Sequence, residues 1–144
     1  MAFSGTYEHS LDEKNRLTVP REYRADLAGG VVLAKGIDDC VCIWTPHGFE
    51  SYKRAMLSNY PPASAEWTIV NRFFHSSSFQ RNLDGAHRVT LQPPLLDHAG
   101  LRKEVTVIGN DECLEVWDRM AWAEYDATQA SKVSEIRNLL GHTA

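Results

Sequence analysis

The sequence has 144 residues, 43% of them hydrophobic and 24% charged, with a formal net charge of −4. That is enough chain for one substantial domain, or two small ones sharing a core, and the composition is that of an ordinary globular protein. No apolar run approaches the ~20 residues that span a bilayer, and "MAFSGTYEHS" lacks a secretory pattern, so a cytoplasmic protein without a membrane partner is expected.

The elements read in order as follows. "GTYEHSLD" alternates in polarity through Tyr7, His9 and Leu11, as a half-buried strand does. A turn at 12–15 leads into the strand "RLTVP". "REYRADL" predicts a short helix stopped at Gly29-Gly30, with Arg21 and Arg24 one turn apart on one face. "VVLAKG" and "CVCIWT" are apolar and rich in β-branched residues, and "IDD" joins them as a hairpin. A helix over about 47–58 follows.

"PPASAEWTIVNRFF" predicts a Pro-marked helix with Trp67, Val70 and Phe74 on one face, and "HSSS" a loop after it. The same order then returns: "LDGAHRVTLQ", the hairpin "LRKEVTVIG" with "CLEVWD", and a helix over about 120–140. Where the first pass has "PREYRADLAG" the second has "QPPLLDHAGL", which predicts that the basic helical face is lost there.

The return is a duplication. Asp12 and Arg16 align with Asp84 and Arg88 at an offset of 72. At an offset of 73, Gly36 meets Gly109, Cys40 meets Cys113, Trp44 meets Trp117, Phe49 meets Trp122 and Tyr52 meets Tyr125. The units are 1–60 and 79–144, each with a C-terminal helix, joined by a helix and loop over 61–78. Units with strands this short do not bury a full core alone. The expected architecture is therefore a β-rich α+β protomer with helices appended, pseudo-twofold, whose repeated faces could also meet neighbouring chains.

"LDEKNRLTVP" and "LDGAHRVTLQ" carry the chemistry. An Asp before a tight turn accepts backbone N–H groups two or three residues on, which fixes the loop. Asn15 tolerates the left-handed backbone such a turn needs, Gly85 more so, and His87 stands where Asn15 does. The Arg can fold back onto the Asp as an exposed ion pair of little energetic worth, or it can project outward. Lys14, Arg21 and Arg24 surround Arg16, diluted by Glu13, Glu22 and Asp26; Arg81, His87, Arg102 and Lys103 surround Arg88.

The net acidity argues against a nucleic-acid partner, but it is uneven. Residues 61–103 hold five Lys and Arg against three Asp and Glu, residues 104–144 three against eight. The field at a binding surface follows local charge.

Other chemistries find less support. "HSSSF" is no catalytic triad, and no phosphate-binding Gly loop, dinucleotide fingerprint or H-E-x-x-H occurs. Three Cys, an odd number, do not suit a disulfide scaffold. Cys40 and Cys42 share a strand face, but a soft-metal site would need Cys113 and a fourth ligand beside them, so small buried thiols are expected and no metal or cofactor is assigned. His9, His47, His98 and His142 show no ligand spacing, and Asp38-Asp39 and Asp111-Glu112 read as solvated turn acids. The repeated aromatics read as core anchors, since no basic run interleaves them as a stacking platform would require.

"FSGTYEHSLDEKNRLTVPREYR", "RFFHSSSFQRNLDGAHRVTL" and the two Asp-x3-Arg elements resemble the MraZ family of bacterial transcriptional regulators, over all but the last dozen residues. Each unit looks like an AbrB-type swapped-hairpin module, half of a β-barrel. The resemblance implies a nucleoid-associated repressor that binds G-rich direct repeats in double-stranded promoter DNA, upstream of the cell-division and cell-wall operon that includes its own gene, as a homo-oligomeric ring. The motif Arg falls on Arg16 and Arg88, and the motif Asp on Asp12 and Asp84. The family's usual Gly before the Arg is Asn15 and His87 here, and its apolar-Pro after the second strand start is Leu91-Gln92-Pro93. Arg16 and Arg88 then suit guanine O6 and N7, while Lys14, Arg21 and Arg24 suit phosphates. The rival expectation is an interaction ring whose Asp-x3-Arg pairs are purely architectural.

Overall fold

The structure is a computed structural model that describes residues 2–140; His142 and the end of the second unit, 141–144, lie outside the described residues. β1 (Thr6–Ser10) and β2 (Arg16–Thr18) flank the Asp12 turn, a 3-10 turn follows at Arg21–Tyr23, and β3 (Val31–Lys35) and β4 (Val41–Trp44) form the first hairpin. Then come α1 (Pro46–Leu57), α2 (Ala65–Ser76), β5 (Ser78–Arg81), β6 (Arg88–Thr90) and α3 (Pro93–Ala99). The second hairpin, β7 (Glu104–Asn110) with β8 (Cys113–Asp118), and α4 (Arg119–Leu139) end the chain. Among the described residues no helix is long and apolar enough to cross a membrane.

The two units exchange strands. β1 of the first pairs with β7 of the second, β5 of the second pairs with β3 of the first, and the hairpins meet along β4 and β8, all antiparallel. The six-stranded order β1-β7-β8-β4-β3-β5 reads the same when the units are interchanged. β2 and β6 form a separate two-stranded ribbon, again one strand from each unit. The sheet is open, since β1 and β5 are its two edges and no ladder joins them. The chain leaves β1 at the Asp12 turn to enter the ribbon, so the ribbon lies across the sheet's buried face and does not continue its ladder.

Burial on both faces explains why the hairpin strands read as continuous apolar runs and not as alternations. Val31, Leu33, Val41 and Ile43 point to one core with Leu17, Val19, Leu27, Val89, Leu91 and Leu95, beneath the ribbon, the 3-10 turn and α3. Val32, Ala34, Cys42 and Trp44 point to the other with Phe49, Phe74, Cys113 and Trp117, beneath the helices. The repeated aromatics pack as their spacing implies: Trp44 stacks on Tyr52 with ring centroids 4.7 Å apart, and Trp117 meets Tyr125 at 5.0 Å. β1, at an edge, keeps the alternation that its sequence shows.

Four local expectations are corrected. "REYRADL" gives a 3-10 turn, whereas "QPPLLDHAGL" forms a true helix, α3. Pro93 and Pro94 are pre-organised for its first turn, and Gly100 at φ 59° closes it in the left-handed region. "HSSS" is not a loop: α2 runs to Ser76, and β5 starts at Ser78. The start of α2 is marked by the Ser64 side chain, whose Oγ accepts from the Trp67 amide at 3.1 Å, and not by the prolines before it. The left-handed turn residues are Asn15 and His87, at φ 58° and 61°, and Gly85 does not share that conformation.

The N-terminal segment docks on β7. Phe3 and Asp111 exchange backbone hydrogen bonds, and the Gly109 amide donates to the Gly5 carbonyl at 2.9 Å. A Cβ on Gly109 would strike the Ser4 backbone, which is the local reason for glycine there.

Candidate nucleic-acid interface

Both Asp-x3-Arg loops emerge from the β2–β6 ribbon, one at each end, with the same internal bonding. In the first, Asp12 Oδ1 accepts from the amides of Lys14 and Arg16, each at 2.9 Å, and Oδ2 accepts from Arg16 Nε at 2.6 Å. In the second, Asp84 Oδ1 accepts from the amides of Ala86 and Arg88, each at 2.9 Å, and Oδ2 accepts from Arg88 Nε at 2.9 Å. Backbone bonds Asn15 N to Asp12 O and His87 N to Asp84 O complete each turn. His87 therefore holds the shape that Asn15 holds, although its larger side chain is less at ease at positive φ.

The ribbon couples the loops. Arg16 lies opposite Thr90, Leu17 opposite Val89, and Thr18 opposite Arg88. Beyond the ladder, the Val19 amide donates to the His87 carbonyl at 3.0 Å and the Leu91 amide to the Asn15 carbonyl at 2.9 Å. Each left-handed residue is thus also an acceptor for the opposite strand. Arg88 Nη1 stands 3.9 Å from Asp12 Oδ2, so one guanidinium also faces the other loop's carboxylate.

Each arginine folds back on its aspartate by one edge only. Among the described residues, neither Nη of Arg16 has a hydrogen-bond partner, and the side chains of Arg16 and Arg88 are 26% and 33% exposed. The carboxylate fixes the plane of the guanidinium through Nε, and the side chain remains partly exposed. Such a group presents two parallel donors to a planar pair of acceptors.

Lys14 is exposed beside the first loop, and Arg21 is exposed in the 3-10 turn. Arg24 is more constrained, its Nε donating to the Val19 carbonyl at 3.2 Å. In a 3-10 turn, side chains three apart lie above one another, so Arg21 and Arg24 share a side without an α-helix. The basic residues near the second motif in sequence do not gather there. Arg102 pairs with Asp118 at the start of α4, 3.3 Å away. Lys103 accepts at its carbonyl from the Leu11 amide at 2.7 Å, which places it at the entry to the first loop. Strand exchange had hidden that neighbour from a reading along the chain.

The loop carboxyls are acid-shifted. The Arg16 amide, followed by its side chain and the Lys14 amide, holds the Asp12 pKa below the ordinary aspartate value, against a smaller opposing effect of burial. The Arg88 amide does the same for Asp84, joined by the Ala86 amide and the Arg88 side chain. A depressed folded-state pKa means that the unfolded chain binds the proton more tightly. The loop bonds therefore contribute fully above the unfolded value of about 3.9 and are lost as pH falls through the lower folded values. Carboxyl NMR titrations of Asp12 and Asp84 should give midpoints below about 3.9, with the Arg16 and Arg88 Hε resonances moving in step; midpoints at or above that value would contradict the bonding described.

A duplicated, strand-exchanged β protein with two Asp-clamped arginine loops on one ribbon is thus the class that fold and site define. The family model described as "MraZ protein, putative antitoxin-like" matches residues 2–69 and 74–138. The protein called transcriptional regulator MraZ in Micrococcus luteus is 38% identical over 133 residues, 92% of each chain. That of Corynebacterium glutamicum is 37% identical over 142 residues, covering 96% of this chain and 97% of its own, and that of Thermobifida fusca 35% over 134 residues, 93% of each. The chain belongs to the MraZ family.

Proposed function

We propose that this protein is a sequence-specific DNA-binding transcriptional repressor without enzymatic activity, in which Arg16 and Arg88 read guanines and Lys14, Arg21 and Arg24 contact phosphates. The observation that carries the reading is the pair of guanidinium groups held through Nε by Asp12 and Asp84 and still partly exposed to solvent. That geometry suits the O6 and N7 acceptors of guanine in the major groove. The relatives' shared name, transcriptional regulator, supports the same class.

The finer reading has the two units, 1–60 and 79–144 with 61–78 between them, as AbrB-type swapped-hairpin modules. The protomers assemble into a ring on G-rich direct repeats upstream of the cell-division and cell-wall operon that includes the protein's own gene, at the nucleoid in the cytoplasm. With net charge −4, one protomer makes few phosphate contacts, and a ring that offers one loop per repeat gains by effective concentration, roughly a hundredfold or more. A structural ring without DNA is the second reading. The Asp–Arg pairs favour it, since each arginine is already paired with the aspartate of its own loop.

A salt series separates the two. Binding to the duplex upstream of the protein's own gene should exceed binding to a scrambled duplex, and log affinity should fall with log salt more steeply than the roughly −0.9 of a single phosphate contact. Equal affinity for both duplexes would leave the interaction ring as the surviving reading.

A further inference from the structure

Cys40, Cys42 and Cys113 are all buried, and no pair of them is bonded as a disulfide. Strand exchange brings them together at the seam between the hairpins, where Cys42 lies directly opposite Glu115 in the β4–β8 ladder. The offset of 73 that relates Cys40 to Cys113 also relates Cys42 to Glu115. One Cys-x-Cys face of the first unit therefore meets a Cys-x-Glu face of the second across the line that interchanges the units.

The ligand atoms of Cys40, Cys42 and Glu115 lie within 4.8 Å of one another. Two ligands on a tetrahedral zinc, each about 2.3 Å from the ion, stand about 3.8 Å apart, so modest side-chain rotations close the set. Gly36 makes the room: a Cβ there would strike the Cys40 sulfur and crowd that of Cys42. The Glu115 carboxylate is held in place, Oε2 accepting from Asn110 Nδ2 at 2.9 Å and Oε1 from Trp117 Nε1 at 3.0 Å. Each oxygen keeps a lone pair for another partner.

We propose that Cys40, Cys42 and Glu115, with solvent in the fourth position, bind one divalent transition-metal ion of the zinc type across the seam between the two units. Each coordinating thiol releases its proton to solvent, and the thiolates and carboxylate take up the ion without any change of oxidation state. A cavity of about 540 Å³, lined by Cys42, Cys113, Glu115 and Lys35, gives the ion a path inward. The ion ties the first unit to the second beneath the helices, on the sheet face opposite the ribbon. Single-sequence spacing conceals the set because its halves are 73 residues apart.

The test is titration of the reduced, full-length protein with Co²⁺ under anaerobic conditions. The expected result is a thiolate-to-cobalt charge-transfer band that saturates at one ion per chain, disappears when Zn²⁺ is added, and is lost in Cys42→Ala and Cys42→Ser. Glu115→Gln should keep the band with weaker binding. No band in the wild type, or an undiminished band in both folded Cys42 variants, overturns the proposal. Should neither variant fold, X-ray absorption at the cobalt edge of the wild-type complex decides: sulfur neighbours near the ~2.3 Å of a metal–thiolate bond support the site, and a shell of only nitrogen and oxygen rejects it.

Discussion

On the proposed DNA-binding reading, Arg16→Ala is expected to abolish any preference for the duplex upstream of the protein's own gene while leaving the fold intact. The turn does not depend on that side chain, since Asp12 Oδ1 still accepts the Lys14 and Arg16 amides and the ribbon still ties Asn15 to Leu91. What disappears is the partly exposed guanidinium. A bidentate arginine–guanine pair is worth about 1–3 kcal/mol of discrimination, roughly fivefold to 150-fold per loop. In an assembly that engages several repeats at once, the losses compound.

Arg16→Lys sharpens the test. Lysine keeps the charge but not the planar fork, so affinity for any duplex should survive in part while the preference goes. If Arg16→Lys kept the full preference, Arg16 would be a phosphate contact and not a reader. Arg88→Ala should act in the same direction but less strongly, because Arg88 Nη1 also faces Asp12 and Arg102 is drawn away to Asp118. Light scattering on each variant separates lost recognition from lost assembly.

Much of this site is legible in the chain. The Asp-x3-Arg spacing predicts a turn closed by its own aspartate, and Asp12 and Asp84 do close their turns, though the second amide each accepts lies four residues on, at the arginine itself, and not three. Duplication is likewise visible in the offsets that align the aromatic anchors, which pack alike in both units. What the chain conceals is the partner across the exchange. Nothing local to Leu11 points to Lys103, and nothing near Cys42 points to Glu115. Such contacts are fixed by which strands pair, and short strands choose partners through burial of a shared face and not through local propensity. The exchanged helix assignments have a similar cause. Both segments carry weak local signals, and two prolines at a helix start outweigh the charged face that "REYRADL" displays.

Leu17→Ala should then be the most damaging single change at the ribbon. Leu17 is fully buried, pairs with Val89, and roofs the core formed by Leu33, Ile43, Leu91 and Leu95. Truncating a buried leucine costs about 2–5 kcal/mol, through lost transfer energy and the cavity left behind. For a chain of this size that is a large share of the total, since domains are stable by only about 5–15 kcal/mol. Denaturant unfolding should show a lower midpoint at unchanged slope, the mark of altered stability without altered compactness. Because three residue pairs make up the whole β2–β6 ladder, a slackened centre releases both ends. Val19 and Leu91 then lose their hold on the His87 and Asn15 carbonyls, and both arginines lose their aim together. Ile69→Ala, at a side chain 66% exposed on α2, supplies the contrast, with an expected change within about 0.5 kcal/mol. A loss below about 1 kcal/mol for Leu17→Ala, smaller than any well-packed leucine gives, would mean that the ribbon does not seal this core. The two loops would then be independent turns, and DNA recognition would not require them to move as one.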